Sequence, residues 1–298
     1  MSDPVSNVQI PRPLPVTAFD LSQRSFLRFS GKDRLRYLNG QLTQDLRRLT
    51  PEKPLPACVT NAKGRLQAVV WVTEFPDFIL LDSDPGQHET LAPRLDRYIV
   101  ADDVVLEDLS GHLGLLHFTG ADPSGRPEFQ GLKITQVSRL GQIGWDVWLP
   151  TTQLEDVKRI LADEFSSEAR WEQLRVAQGI PKWGGELGED TLPPEAGLEL
   201  THIDYHKGCY IGQEVISRLK SVGHVNRSLV RLKMVSGERL PDIGGGLFLG
   251  NAPGAEPVGK ITSVVYDISG EGVVLAYVKR GVDSMEFQSA NGIALVRF

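Results

Sequence analysis

Cysteine is scarce in this chain: 298 residues carry only Cys58 and Cys209. The two are not spaced as CxxC, which argues against a zinc ribbon, a thioredoxin-type redox site and a disulfide scaffold, and fits a reducing compartment. Positive charge is also short. A net charge of −6 leaves no basic footprint for direct nucleic-acid contact, and the acidic excess is too mild and dispersed for an acidic tail. No apolar run approaches a membrane span, and the opening MSDPVSNVQIPRPLPVTAFD is proline-rich where a signal peptide would be continuously apolar. A cytoplasmic location is therefore expected. There is no GxSxG elbow for a serine hydrolase. His202 and His206 are four apart, but no glutamate follows His202 as HExxH requires, so they read as solvated or packed histidines, with no metal site. The stretch from Gly254 to Thr262 comes close to a phosphate loop, yet Ile261 takes the Ser/Thr place and a strand pattern follows. Its glycines, like Gly244-Gly245-Gly246, therefore read as turns.

What is present is enough apolar residue (41%) to bury two or more domains at this length. Leu35, Leu38, Leu42, Leu46 and Leu49 recur at three- and four-residue spacing and predict a helix over 33–49. LQAVVWVT (66–73) and FILLD (78–82) predict a hairpin. Leu91, Leu95 and Ile99 mark a further helix, VVLEDL and LGLLHF two strands, 119–131 a Pro/Gly loop, and 145–149 a strand. Helical patterns run over 152–164 and 167–178, and 179–201 is loop-like. After Asn226 the texture changes to short alternating or β-branched runs between glycine turns, which predicts an α+β region over 1–225 and a small all-β domain over 226–298.

The most informative segment is Lys207-Gly208-Cys209-Tyr210-Ile211-Gly212-Gln213-Glu214. Ile211, Val215, Leu219 and Val222 form one stripe of an amphipathic helix, with Glu214 in its first turn, Lys220 in its last and Gly223 beyond. Cys209 is thus expected at the positive end of a helix dipole, with Lys207 and His206 close by, an address that suits a reactive thiol. A helix terminus contributes only about 0.3–1 kcal/mol, so activation also needs Lys207 near the sulfur. The plainer alternative is a buried, inert cysteine chosen for its size.

These residues carry a family resemblance. GIPKWGGEL, LPPEAGLEL and KGCYIGQEVISRLKSVGHVNR, between Gly179 and Arg227, resemble the folate-binding YgfZ family, relatives of the glycine-cleavage T-protein. GKDRLRYLNGQLTQDL resembles the family's N-terminal helix and NAKGRLQAVVWV its first hairpin, so the likeness spans residues 26–298. The resemblance implies two interwoven α+β subdomains around a central channel, plus a C-terminal β-barrel. It also implies tetrahydrofolate or a derivative as cofactor, and a supporting role in iron–sulfur cluster assembly or repair, hence in cluster-dependent tRNA modification, with cluster-assembly or client proteins as partners.

A folate offers a flat pterin for stacking and an anionic tail for basic groups. By resemblance, Trp171 matches a folate-site tryptophan of the bacterial proteins and Arg175 an arginine on the same helix of the T-protein; Trp183, Tyr210, Gln213 and Glu214 are further cofactor-site candidates. Trp171 reads equally as a helix core residue, sharing a stripe with Leu174 and Gln178. A second family tryptophan falls here on Arg24. The departures matter too. The T-protein's acidic pair falls on Ala68 and Val69, neither of which can accept a proton, and its RTGYTGE-like strand becomes Arg139-Leu140-Gly141-Gln142-Ile143-Gly144-Trp145. The expectation is therefore a folate-binding accessory protein using Cys209 with Lys207. A one-carbon transferase with a displaced acid (Asp45, Glu186 or Glu214) and a non-catalytic interaction module are the alternatives.

Overall fold

The computed structural model describes residues 17–235, 237, 239–250 and 256–298. Residues 254–255 of the phosphate-loop-like stretch lie outside these; from Gly259 onward it is strand. The chain opens with β1 (Thr17–Asp20) and β2 (Ser25–Ser30), then α1 (Arg34–Gln41), β3 (Leu55–Thr60), β4 (Leu66–Glu74), β5 (Phe78–Ser83), α2 (His88–Asp96) and β6 (Val105–Asp108). Next come β7 (Leu113–Thr119), β8 (Lys133–Val137), β9 (Gly144–Pro150) and α3 (Thr151–Ile160). A five-stranded antiparallel sheet runs β3-β4-β5-β2-β6, and a four-stranded one β1-β7-β9-β8. The lobes interweave because β1 belongs to the second sheet although β2 to β6 build the first. Among the described residues no helix is long and apolar enough to cross a membrane.

Strand alternation decides what each face meets. In β4 the even-numbered set Leu66, Ala68, Val70 and Val72 is fully buried, and the last three share a core with α1 and α2 through Leu38, Leu91 and Leu95. Val69 and Trp71 point the other way. The second lobe buries Leu116, Phe118, Phe129 and Val147 under Val157 of α3.

After α4 (Glu168–Ala177) and α5 (Gln213–Ser221), six strands close a barrel in the order β10-β13-β12-β11-β14-β15: β10 (Arg227–Met234), β11 (Gly246–Phe248), β12 (Gly259–Tyr266), β13 (Gly272–Lys279), β14 (Glu286–Ser289) and β15 (Ala294–Arg297). The unbroken apolar run of β13 follows from burial on both faces. Val274, Ala276 and Val278 fill the barrel, while Val273 and Leu275 pack outward on Val176 of α4. The β12–β13 register shifts between Ile261 and Ser263. Ile261 therefore points inward and Ser263 outward, where its hydroxyl accepts from Arg175 at 2.8 Å and donates to Glu186 at 2.5 Å.

Two expectations need correction. The helix predicted over 33–49 ends at Gln41; Leu42 is extended and Leu46–Arg48 form a separate 3₁₀ turn. Asn39 Oδ1 accepts from Leu46 N–H and Asp45 from Arg47 N–H, local bonds that compete with helix propagation. Leu38, Leu42 and Leu46 still reach one core, so the spacing identified burial but not the helix end. Strands β1, β2, β3, β8 and β14, of four to six residues, left no separate pattern in the sequence.

The sheets are joined by buried charge as well as by apolar contact. Arg139 donates to both oxygens of Asp82 on β5, at 3.0 and 2.8 Å, and to Asp146 on β9 at 2.8 Å. Arg24 adds a 2.6 Å bond to Asp82, and His117 Nδ1 lies 2.8 Å from Asp146. Replacing Arg139 with Met should cost about 3–5 kcal/mol, because two carboxylates from different sheets lose a shared buried cation. Urea unfolding tests this; a loss below about 1 kcal/mol would mean that the bridge does not hold the lobes together.

Candidate functional site

A cavity of about 740 Å³ opens where the two lobes and the segment before α5 meet, within the usual range of small-molecule sites. Val69 and Trp71 from β4 form part of its wall, with Arg139 across the Trp71 ring at 5.3 Å. Trp171 of α4 lines it as well, set edge-on against Phe19 (5.1 Å) and His117 (5.5 Å). The wall also carries Asp84, which accepts from Arg24 at 2.8 Å and from Trp183 N–H at 2.9 Å. Lys53 at the margin is exposed, and its ammonium has no hydrogen-bond or ion-pair partner among the described residues. The cavity thus combines two indoles, a partnered carboxylate and one uncommitted cation. Its wall includes His202, whose imidazole burial holds down to about 4.

Arg175 also borders this cavity, but its guanidinium is committed. Its N–H groups go to Glu172 twice, to Glu186 at 3.0 Å, to the Ile180 carbonyl at 2.9 Å and to Ser263 at 2.8 Å. These use all five donors an arginine has. Arg175 therefore clamps α4 to the barrel and has no donor left for an anionic tail. Trp183 is half-buried against the cluster of Cys58, Leu66, Leu187, Ala196 and Leu198 and is not part of the cavity wall.

The Lys207–Glu214 segment is built differently from its expectation. Lys207 is buried, and its ammonium donates to the carbonyls of Asn39 in the last turn of α1 (2.5 Å) and of Leu42 (2.7 Å) and Gln44 (2.8 Å) just after it. Burial nevertheless lowers this ammonium to about 8. Its donors are spent on the backbone, so Lys207 anchors the loop and does not reach out to activate the thiol. Tyr210, also buried, lies 5.4 Å from the Lys207 ammonium, and burial raises its phenol above the ordinary range. Gly212 caps α5 at φ +89, where a Cβ would strike the Asn61 carbonyl, and Thr60 Oγ1 donates to Ile211 O at 2.5 Å. Only glycine fits this close approach to the Asn61–Gly64 turn.

Helix α5 therefore begins at Gln213, two residues later than read from the stripe, and its buried apolar residue is Ile216; Val222 is exposed. Cys209 precedes the first helical residue by four positions, beyond the turn over which a helix dipole acts. It is exposed, held outward between the buried Lys207 and Tyr210. The inert-cysteine description suits Cys58 instead, whose thiol burial pushes up to about 12. Gln213 donates weakly to Gly208 O at 3.4 Å and Glu214 faces solvent; with Tyr210 they shape the loop and do not line the cavity.

The displaced-acid candidates are no better placed. Asp45 is held by Arg47, Glu186 by Arg175 and Ser263, and Glu214 lies on the exposed side of α5. Ala68 is core and Val69 is wall, so the T-protein's acidic positions present no carboxylate here. Sequence reasoning missed Trp71, Asp84 and Lys53. The alternation of β4 carries a signal for Trp71; nothing local marks the other two.

No protein-family model matches the chain. It is 27% identical over 233 residues to the tRNA-modifying protein YgfZ of Colwellia psychrerythraea, covering 72% of this chain and 71% of that protein. It is 25% identical over 248 residues to the mitochondrial iron–sulfur cluster assembly factor IBA57 homolog of Coccidioides immitis, covering 73% of this chain and 57% of that one. The crystal structure of the glycine cleavage system aminomethyltransferase T from Bartonella henselae superposes with a TM-score of 0.82 at 20% identity, over 96% of this chain and 85% of that one. The fold is T-protein-like, and the resemblance to YgfZ-type proteins extends over most of the chain.

Lys207→Met should destabilise the protein by about 2–5 kcal/mol, since buried carbonyls lose their donor, and should loosen the Cys209 loop, read as faster hydrogen exchange at residues 207–212. Unchanged exchange there would remove Lys207 as the anchor. His202 sets a pH dependence. Its folded-state pKa of about 4 lies below the unfolded value of about 6.5, so the unfolded chain takes up the proton first as pH falls. Stability should decline between about pH 6.5 and 4 and be restored above that window; in His202→Gln the slope of unfolding midpoint against pH should flatten.

Proposed function

We propose that this chain is a folate-binding accessory protein of iron–sulfur cluster assembly or repair, and through it of cluster-dependent tRNA modification, and is not an aminomethyltransferase. The observation that carries the reading is a pairing. The cavity keeps two indoles for a flat ligand, but of the two positions where the T-protein has acids Val69 lines it and Ala68 lies in the core, while the YgfZ-like segment holds Cys209 out to solvent on two buried anchors. The names of the YgfZ and IBA57 relatives point the same way.

A bound reduced folate would supply a one-carbon carrier. Trp71 and Trp171 would hold its pterin and Lys53 its anionic tail, a cation with no competing partner. Without a carboxylate at Ala68 or Val69, no side chain there accepts a proton from a reacting folate nitrogen. Cys209 can offer one soft anionic ligand or nucleophile, whereas clusters are usually held by four thiolates. A partner must therefore supply the remaining ligands, which an exposed cysteine permits and a buried one does not.

Tetrahydrofolate should quench the intrinsic tryptophan fluorescence, and Trp171→Leu should weaken its binding by about 1–3 kcal/mol. Unchanged affinity in the folded variant would return Trp171 to the core. In cells lacking this protein, wild type should restore iron–sulfur enzyme activity and Cys209→Ser should not, although that variant still binds folate. Full rescue by the serine variant would sink the thiol mechanism, and turnover with a folate and an aminomethylated carrier would revive the transferase.

A further inference from the structure

A second cavity, of about 780 Å³, adjoins the channel, and the two share Leu55, Pro56, Leu200 and Thr201 as a common wall. Its lining comes from both sides of Cys209: Tyr205 and His206 ahead of it, Leu219 and Lys220 of α5 behind it. Most of its charges are already met. Arg48 pairs with Asp204 at 3.2 Å, and the Lys220 ammonium sits 3.6 Å over the Tyr205 ring. Glu199 is different: its Oε2 is shielded from solvent and has no hydrogen-bond partner among the described residues. A buried carboxylate oxygen without a donor is unfavourable, and a cationic N–H group is its strongest complement. Next in the chain, Leu200 lines the cavity and is 86% exposed. A small amine would leave it in water, whereas a polypeptide would cover it.

We propose that this cavity docks a partner protein that inserts a lysine or arginine side chain flanked by apolar residues, the cation meeting Glu199 and the apolar neighbours covering Leu200 and Leu219. The proposal rests on the reading above that the chain works with a partner, and adds where that partner sits. Because the lining brackets Cys209 in sequence, a segment seated here lies beside the loop that carries the thiol. The shared wall gives folate in the channel a direct route to bias the docking surface.

The test uses Ac-Leu-Arg-Leu-NH₂ as probe and Ac-Leu-norleucine-Leu-NH₂ as its neutral control, titrated calorimetrically into the full-length protein. The arginine peptide should bind about tenfold or more tightly than the control, and Glu199→Gln should abolish that preference while tetrahydrofolate binding is kept, which also reports that the variant is folded. Leu200→Ser should weaken both peptides without changing the preference. Equal binding of the two peptides, an unchanged preference in Glu199→Gln, or no effect of Leu200→Ser overturns the proposal. Spermidine binding as tightly as the arginine peptide also overturns it, making the site one for a small amine. Failure of the thiol mechanism is seen separately: rescue by Cys209→Ser does not alter the peptide titrations, and loss of peptide preference does not alter the Cys209→Ser result.

Discussion

Arg139 lies between two fully buried aspartates that belong to different sheets, and the rest of the molecule is arranged around that bridge. Either sheet alone would carry a buried carboxylate without sufficient compensation, so Asp82 and Asp146 favour the docked lobes strongly over separated ones. The same guanidinium lies across the Trp71 ring, which gives the cavity an indole backed by a fixed cation. His117, bonded to Asp146, stands edge-on to Trp171 and links the bridge to the second indole. Burial lowers the His117 pKa and so favours the neutral imidazole beside Asp146.

A second buried arginine does for the barrel what Arg139 does for the lobes. Arg175 reaches Glu186 and Ser263 because a register shift in β12 turns that serine outward. Arg175, expected by resemblance at the folate site, is thus committed to the acceptors that surround it, which leave no donor free. Lys207 repeats the theme on a smaller scale. Its charge is satisfied by backbone carbonyls, which makes it a fastener for the loop and leaves Cys209 to be exposed by the geometry of its neighbours.

Much of the fold was legible in the sequence where one period dominated over a long stretch. The hairpin of β4 and β5, the helices α2 to α4 and the texture of the barrel all gave clear patterns. Short strands such as β1 and β3 were not legible, because four to six residues do not establish a period. The end of α1 was missed because polar side chains at Asn39 and Asp45 overrode a leucine spacing that continued beyond it.

For the site, sequence alone determined the chemistry on offer: one cysteine in a YgfZ-like segment, one tryptophan, Trp171, at a matching position, and alanine and valine in place of the acids. Tertiary structure decided which groups remain free to use it. Whether Lys207 activates a thiol or ties down a loop, and whether Arg175 meets a ligand or Glu186, depends on acceptors brought from elements far away in the chain. Hydrogen-bonding capacity is finite and local in space, whereas sequence proximity says only which groups are tethered together.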